Sequence, residues 1–130
     1  MNLLGIFLLM IFCHIIDDFV LQPICLSKLK CKKWWIEQCK NNNYDIQKYK
    51  DDYCCALLIH SASWSISIIL PILFLYQYNT YVLFFNVLLN TIIHYDIDNA
   101  KANELTINLI QDQSIHFVQI ILSFVLLTLI

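Results

Sequence analysis

The chain has 130 residues, of which 59% are hydrophobic and 14% are charged, and its mean hydropathy is +0.63. A water-soluble domain carries about a quarter charged residues, so this chain has too little polar surface to enclose a soluble globule. The net charge is −2 and all eight basic residues are Lys, which argues against a nucleic-acid-binding protein. The composition predicts an integral membrane protein.

Four long apolar runs predict four transmembrane helices in a single integral membrane domain, residues 1–130. The runs cover about residues 3–21, 53–76, 81–98 and 105–130. Each approaches the ~20 residues needed to cross a hydrocarbon core of about 30 Å. Backbone groups in lipid must satisfy their own hydrogen bonds, so all four runs are expected to be helical. The predicted fold class is therefore all-α, a polytopic membrane protein in contact with the lipid bilayer.

The polar loop between the first two runs, residues 23–52, carries seven of the eight lysines, from Lys28 to Lys50. Its first half mixes lysines with Trp34 and Trp35, which is typical of an interfacial helix whose ammonium groups face anionic lipid headgroups. A solvated connector is the alternative. Because lysine-rich loops lie on the cytoplasmic side, this loop and Lys101 are predicted to be cytoplasmic, with both termini outside.

Each predicted helix contains one histidine, and the alternating helix directions put all four at a similar depth near the cytoplasmic face. They are His14, His60, His94 and His116. Three of them have a carboxylate four residues away, on the same helix face. These pairs are His14 with Asp18, His94 with Asp98, and Asp112 with His116. Ionisable groups are costly inside a membrane, so the spacing predicts one intramembrane His/Asp cluster whose members face one another, water or a metal ion.

Imidazole and carboxylate groups together suit a divalent metal, with Zn²⁺ as the first choice. The candidate ligands are His14, His60, His94, His116, Asp18, Asp98 and Asp112. The candidate catalytic residues are Asp18, Asp98, Asp112, Gln113 and Lys101. Gln22 and Gln113 are expected to hydrogen-bond a substrate or water, and Lys101 to bind a phosphate or carboxylate. The predicted chemistry is metal-dependent hydrolysis of a lipid or peptide-like bond near the interface.

A non-enzymatic protein is the alternative, in which the polar cluster packs helices or transfers protons or ions. The outer parts of the runs contain few polar groups for a continuous path. Asp17 and Asp96 fall off the shared helix faces and are expected to face the interface. Cys31 and Cys39 are a weaker ligand pair because the chain has no C-x-x-C motif. Ser61 beside His60 is a weak nucleophile candidate, since no oxyanion-hole signature accompanies it.

These motifs resemble the domain-of-unknown-function 3307 family, small integral membrane proteins of bacteria and their phages. The resemblance covers nearly the whole chain and consists of four ordered motifs: His14-x-x-x-Asp18-Phe19-x-Leu21-Gln22, His60 after an apolar pair, His94-x-x-x-Asp98-x-x-Lys101, and Asp112-Gln113-x-x-His116. Lys28 or Lys30 matches a lysine that the family often carries after its first motif. Pro23 and the extended lysine-rich loop depart from the pattern. The resemblance implies a membrane protein with a His/Asp site, similar in pattern to membrane-bound metal-dependent hydrolases, and implies no particular reaction.

Overall fold

The computed structural model describes residues 2–22 and 24–129, and within these ranges every regular element is a helix. The helices are α1 (Leu3–Ile15), α2 (Ile24–Leu29), α3 (Lys32–Asn42), α4 (Ile46–Tyr49), α5 (Asp52–Leu75), α6 (Thr80–Asn99) and α7 (Leu109–Leu129). Two π-helical segments, Ile16–Leu21 and Ala100–Glu104, continue α1 and α6. The predicted all-α fold class is confirmed.

Three stretches of the described chain are long and apolar enough to cross a membrane: Leu3–Leu21, Ile46–Leu75 and Leu109–Leu129. They contain most of the first, second and fourth runs predicted from the sequence. The third run corresponds to α6, which is less apolar because buried polar side chains interrupt it. The three apolar helices are compatible with a membrane protein in contact with lipid.

The fourth run begins later than predicted, since α7 starts at Leu109 and not at residue 105. Leu105 has a left-handed backbone with φ of 57°, which ends the preceding π-helical segment. The side chain of Asn108 then accepts a hydrogen bond of 3.0 Å from the backbone N–H of Gln111. A residue with a short polar side chain at this position caps the first turn of a helix, so α7 begins directly after Asn108.

Helix α5 lies at the centre of the bundle and packs against α1, α6 and α7. The apolar core between these helices includes Ile6, Met10, Trp64, Ile68, Ile69, Ile72, Ile120 and Leu127. Large apolar side chains also cover the outer faces, including Leu8 and Phe12 on α1 and Phe84 and Leu88 on α6. So much exposed apolar surface is unusual for a soluble monomer and fits contact with lipid.

The loop between the first two runs contains α2, α3 and α4, and its start is tied to the segment after α6. The side-chain amide of Asn103 donates to the backbone oxygen of Lys30 at 3.1 Å, and its oxygen accepts from the backbone N–H of Lys32 at 2.7 Å. The indole N–H of Trp35 donates to the backbone oxygen of Leu29 at 2.8 Å. These contacts hold the α2–α3 turn against the bundle and point Lys30 inward.

Candidate metal centre

The four histidines, one each from α1, α5, α6 and α7, meet in the interior of the bundle. The ring centroids of His94 and His116 are 4.1 Å apart, those of His60 and His94 are 5.1 Å apart, and those of His14 and His116 are 6.1 Å apart. Trp64 stacks on His94 with a centroid distance of 4.3 Å. All four imidazoles are buried. The structure therefore brings the predicted histidines into one place.

Asp98 lies among three of these rings. Its Oδ1 is 3.5 Å from His116 Nε2 and 3.7 Å from His94 Nε2, and its Oδ2 is 3.5 Å from His60 Nε2. Asp18 Oδ1 is also 3.5 Å from His60 Nε2. These separations exceed ordinary hydrogen-bond lengths, so the ring nitrogens and carboxylate oxygens face one another without forming good hydrogen bonds. We call the four histidines with Asp18, Asp98 and Asp112 the His/Asp cluster.

Two groups within the His/Asp cluster have the donor atoms of a metal site. One consists of Asp18, His60 and His94, and the other of His94, Asp98 and His116; in each, the three donor atoms lie within 4.8 Å of one another. Two atoms bound to one zinc ion at about 2.0–2.1 Å lie at most about 4.2 Å apart, so the donor atoms of each group need only a small approach to bind one ion. His94 belongs to both groups. Neither Cys31 nor Cys39 belongs to such a group in the described chain.

Several polar atoms of the cluster are buried and have no hydrogen-bond partner among residues 2–22 and 24–129. They are Asp18 Oδ1, both ring nitrogens of His94, Asp112 Oδ1 and His116 Nε2. Buried polar atoms in proteins nearly always have a partner, because leaving one unsatisfied costs about 1–3 kcal/mol. Asp18, His94 and His116 belong to the two candidate ligand groups, and unpaired atoms on them are the pattern expected where a cation accepts one lone pair from each residue.

The orientation of His116 is fixed by amides that extend away from the cluster. His116 Nδ1 lies 3.0 Å from Gln119 Oε1, while Gln119 Nε2 donates to Asn90 Oδ1 at 3.2 Å. Asn90 in turn donates to Ser123 Oγ at 2.8 Å and to Asn86 Oδ1 at 2.9 Å. Gln119 therefore offers its oxygen to His116 and fixes a proton on Nδ1, which leaves Nε2, 3.5 Å from Asp98 Oδ1, as the ring nitrogen available to a metal ion. Such outer partners characteristically orient metal-binding histidines.

His14 is arranged differently from the other histidines. The indole N–H of Trp64 donates to His14 Nδ1 at 2.8 Å, and His14 Nε2 lies 3.2 Å from Gln113 Oε1. Both ring nitrogens therefore have protein partners, with the proton on Nε2. His14 lies in the cluster, as its spacing to Asp18 suggested, but it belongs to neither ligand group because Trp64 occupies its lone pair.

Two lysines enter the site, and one of them departs from the prediction for the loop. Lys30 is only 6% exposed and its Nζ lies 2.6 Å from Asp98 Oδ2, whereas the loop lysines were expected to face lipid headgroups. Lys101 Nζ lies 2.6 Å from Asp112 Oδ2. Gln113 joins the same network, because its Nε2 is 3.0 Å from Asp112 Oδ2 and 3.2 Å from Asp18 Oδ2.

Gln22 holds the buried lysine from the other side. In the amide orientation that satisfies both neighbours, its oxygen accepts from Lys30 Nζ at 2.8 Å, and its nitrogen donates to the backbone oxygen of Asp18 at 3.2 Å. Gln22 therefore hydrogen-bonds a protein ammonium group at the position where the sequence suggested a substrate contact. Of its two neighbours, Asp18 lies in the π-helical segment that continues α1, and Lys30 lies in the turn between α2 and α3.

The expectation that Asp17 faces the interface is wrong. Asp17 is 4% exposed, and its Oδ1 accepts hydrogen bonds from Ser67 Oγ at 2.9 Å and Ser63 Oγ at 3.2 Å. The reason is the π-helical segment Ile16–Leu21: a π turn contains more residues than an α turn, so consecutive carboxylates at positions 17 and 18 both turn toward α5. Asp96, which lies in regular α-helix, is exposed.

A cleft of about 340 Å³ leads from the His/Asp cluster to the protein surface. Asp18, His60 and Asp98 lie along it, so atoms of both ligand groups border the opening. The remaining lining includes Lys30, Lys101, Gln22, Gln113, Phe19, Ile24 and Leu109. Metal sites that do chemistry require such access, because a substrate or water must reach the ion. Asp112 and His116 are buried behind the cleft.

Comparison with protein-family models, with curated proteins and with solved structures found no match. The resemblance based on the four motifs therefore stays a prediction. The geometry of the His/Asp cluster supplies the functional evidence.

Proposed function

We propose that this protein is a multi-pass membrane protein that binds a divalent metal ion, Zn²⁺, in its His/Asp cluster. The observation that supports it most is the convergence of buried, unpaired nitrogen and oxygen atoms in two groups that share His94. Neutral imidazoles and carboxylates are the ligands that zinc takes in its nitrogen- and oxygen-based sites. His94, Asp98 and His116 form one ligand set, and Asp18 and His60 complete the second with His94.

The charge of the buried network also favours a divalent cation. The network contains four carboxylates, Asp17, Asp18, Asp98 and Asp112, but only two ammonium groups, Lys30 and Lys101. With neutral imidazoles its net charge is −2, which is expensive to keep inside a membrane protein. One divalent ion neutralises it. Protonation of two imidazoles would do the same and is the competing explanation.

We propose that α6 is a fourth membrane-spanning helix, and that the loop 23–52 and Lys101 are cytoplasmic with both termini outside. Asn86, Asn90, His94 and Asp98 on α6 are buried, which leaves an apolar outer surface for lipid. The lysine distribution supports the orientation.

Labelling with an impermeant thiol reagent, applied to intact cells, tests this orientation in a cysteine-free background. The reagent should label Gln77→Cys and should not label Lys40→Cys. The reverse labelling would contradict the orientation.

The proposed chemistry is metal-dependent hydrolysis of a lipid or peptide-like bond, and it is supported by the cleft that reaches both ligand groups. A zinc ion held by these histidines and carboxylates would lower the pKa of water and so supply the nucleophile for attack on the ester or amide carbon, or the phosphorus, of the substrate. A carboxylate that is not bound to the ion accepts the proton and passes it to the leaving group as the scissile bond breaks. Asp18 and Asp98 are the cluster carboxylates that line the cleft, and Gln113 and Lys101, which also line it, would hold the substrate.

A packing role is the second candidate function, because hydrogen bonds inside the cluster also join separate helices. His14 and Gln113 connect α1 to α7, and Lys30 and Asp98 connect the turn between α2 and α3 to α6. Proton conduction receives less support. The amide chain from His116 ends at Asn86 and Ser123, and farther along the bundle Ile6, Ile72 and Leu127 are packed in an apolar core.

The experiment that separates metal binding from packing compares Asp98→Asn with Asp96→Asn. Both variants make the same chemical change on α6, but Asp98 is buried in the cluster and Asp96 is exposed. We expect one metal ion per purified chain, a loss of affinity of about 10–100-fold or more in Asp98→Asn, and no change in Asp96→Asn. Metal content and Tm are measured together. If neither protein holds metal and Asp98→Asn melts at the same or a higher temperature, the cluster is a packing network.

A further inference from the structure

Two ammonium groups line the cleft beside the proposed metal ligands. Lys30 comes from the turn between α2 and α3 and is nearly fully buried, and Lys101 comes from the π-helical segment after α6 and is one-third exposed. A buried lysine is costly unless its charge is paired, and the two partners of Lys30, Asp98 and Gln22, occupy only two of the three donors of its ammonium group. Lysine is a common phosphate-binding residue, acting as a compact positive charge.

The charge balance of the cleft changes when a metal ion is bound. The charged side chains along it are Asp18, Asp98, Lys30 and Lys101, which cancel one another. A divalent cation bound in the cluster brings the whole buried network to zero, but the groups that line the cleft then carry a net charge of +2, because the other two carboxylates, Asp17 and Asp112, do not line it. A bound metal ion is often the largest charge in a site, so the loaded cleft attracts an anion to the space between the ion and the lysines.

The exposed end of the cleft is apolar, in contrast to its charged interior. Phe19, Ile24 and Leu109 line it and are 61%, 78% and 57% exposed. These apolar side chains lie next to the ammonium groups, on segments at one end of the membrane-spanning helices. A ligand that satisfies both parts carries an anionic group that enters the cleft and an apolar part that remains on the rim.

We propose that the cleft binds the phosphate group of a membrane lipid, with Lys30 and Lys101 on the phosphate oxygens and the acyl chains against Phe19, Ile24 and Leu109. The inference rests on the proposed function, because the metal ion supplies the excess positive charge. It identifies the substrate class of that function as phosphate-bearing lipids. The lysines exchange part of their contact with Asp98 and Asp112 for the phosphate.

The test uses the zinc-loaded full chain in a neutral maltoside detergent and calorimetric titration with three probes. Phosphatidic acid carries both phosphate and acyl chains, diacylglycerol with the same chains lacks the phosphate, and inorganic phosphate lacks the chains. The cleft variants are Lys30→Gln and Lys101→Gln, with Lys101→Arg as the charge-preserving variant. Lys40→Gln and Lys48→Gln remove the same charge from exposed loop positions. Zinc content and Tm are recorded for every sample.

We expect phosphatidic acid to bind more tightly than either other probe. Each cleft variant to Gln should weaken it by about 10–100-fold, the effect of losing a charged hydrogen bond, while Lys101→Arg and the two loop variants stay near the original affinity. Equal binding of inorganic phosphate would identify a soluble phosphate ligand and overturn the lipid assignment. Equal binding of diacylglycerol, or loss in the loop variants only, would also overturn it. Zinc binding without lipid binding refutes this inference alone, whereas a chain that binds no zinc refutes the proposed function as well.

Discussion

His14 and His116 use their ring nitrogens differently although both are buried in the same cluster. The lone pair of His14 Nδ1 accepts the indole N–H of Trp64, whereas the lone pair of His116 Nε2 has no partner in the described chain. His94 has both nitrogens unpaired. At the scale of single residues, these hydrogen bonds separate histidines that are available to a metal ion from one that holds neighbouring side chains in position.

Replacement of His94 and His14 by glutamine should therefore have different consequences. His94→Gln removes a donor from both ligand groups and is expected to abolish stoichiometric zinc binding. His14→Gln breaks contacts with Trp64 and Gln113 and should lower Tm while zinc is retained, with at most the smaller affinity loss of an outer-shell change. Zinc titration and thermal unfolding of both variants measure this difference. Equal loss of zinc in the two variants would make His14 a ligand, as its sequence spacing suggested.

At the scale of helices, side chains from several elements set the geometry of the site. Spacing within a single helix predicted the pairs His94–Asp98 and Asp112–His116, because residues four apart share a face. Lys30 could not be predicted in this way, since the turn between α2 and α3 and its contact with Asn103 bring it inward. Asp17 was misplaced because the π-helical turn changes the α-helical periodicity.

The link between α6 and α7 through Asn90 and Gln119 could be found only from the structure. The polar spacing of Asn86 and Asn90, and of His116 and Gln119, was a signal for a buried polar face. It did not reveal that Gln119 Oε1 would face His116 Nδ1. A single sequence shows which side chains share a helix face, but it does not show how one helix is rotated against another.

This link predicts that Gln119 positions His116 for metal binding. Gln119→Leu removes the acceptor for the Nδ1 proton, so the proton can move to Nε2 and occupy the ligand lone pair. We expect zinc affinity to fall by about 10–100-fold. Gln119→Glu keeps an acceptor oxygen for His116. Like Gln119→Leu, it loses the N–H group that donates to Asn90, but it should retain zinc.

Comparison of Gln119→Leu with Gln119→Glu separates the effect of Gln119 on the orientation of His116 from its effect on the stability of the protein. Both variants lose the bond between α6 and α7, so both are expected to melt at a lower temperature in the metal-free state. Only Gln119→Leu should lose zinc affinity. If zinc affinity simply follows Tm in both variants, Gln119 contributes packing alone.

At the scale of the whole molecule, an apolar exterior surrounds a buried polar network. The composition predicted this arrangement, because the chain has few charged residues and places its histidines within apolar runs. The balance of charge inside became visible only once Asp17 and Lys30 were located. Four carboxylates and two ammonium groups leave a deficit of two positive charges, which one divalent ion supplies. This balance and the unpaired donor atoms are two separate observations that support the proposed metal site.

X-ray absorption at the zinc edge of the zinc-loaded, detergent-purified protein tests the metal site most directly. We expect a first shell of nitrogen and oxygen atoms at about 2.0–2.1 Å, together with the outer-shell scattering of at least two imidazole rings. A shell of sulfur atoms at about 2.3 Å would assign the metal to the cysteines, and a protein that retains no zinc after dialysis would show that the His/Asp cluster is not a metal centre.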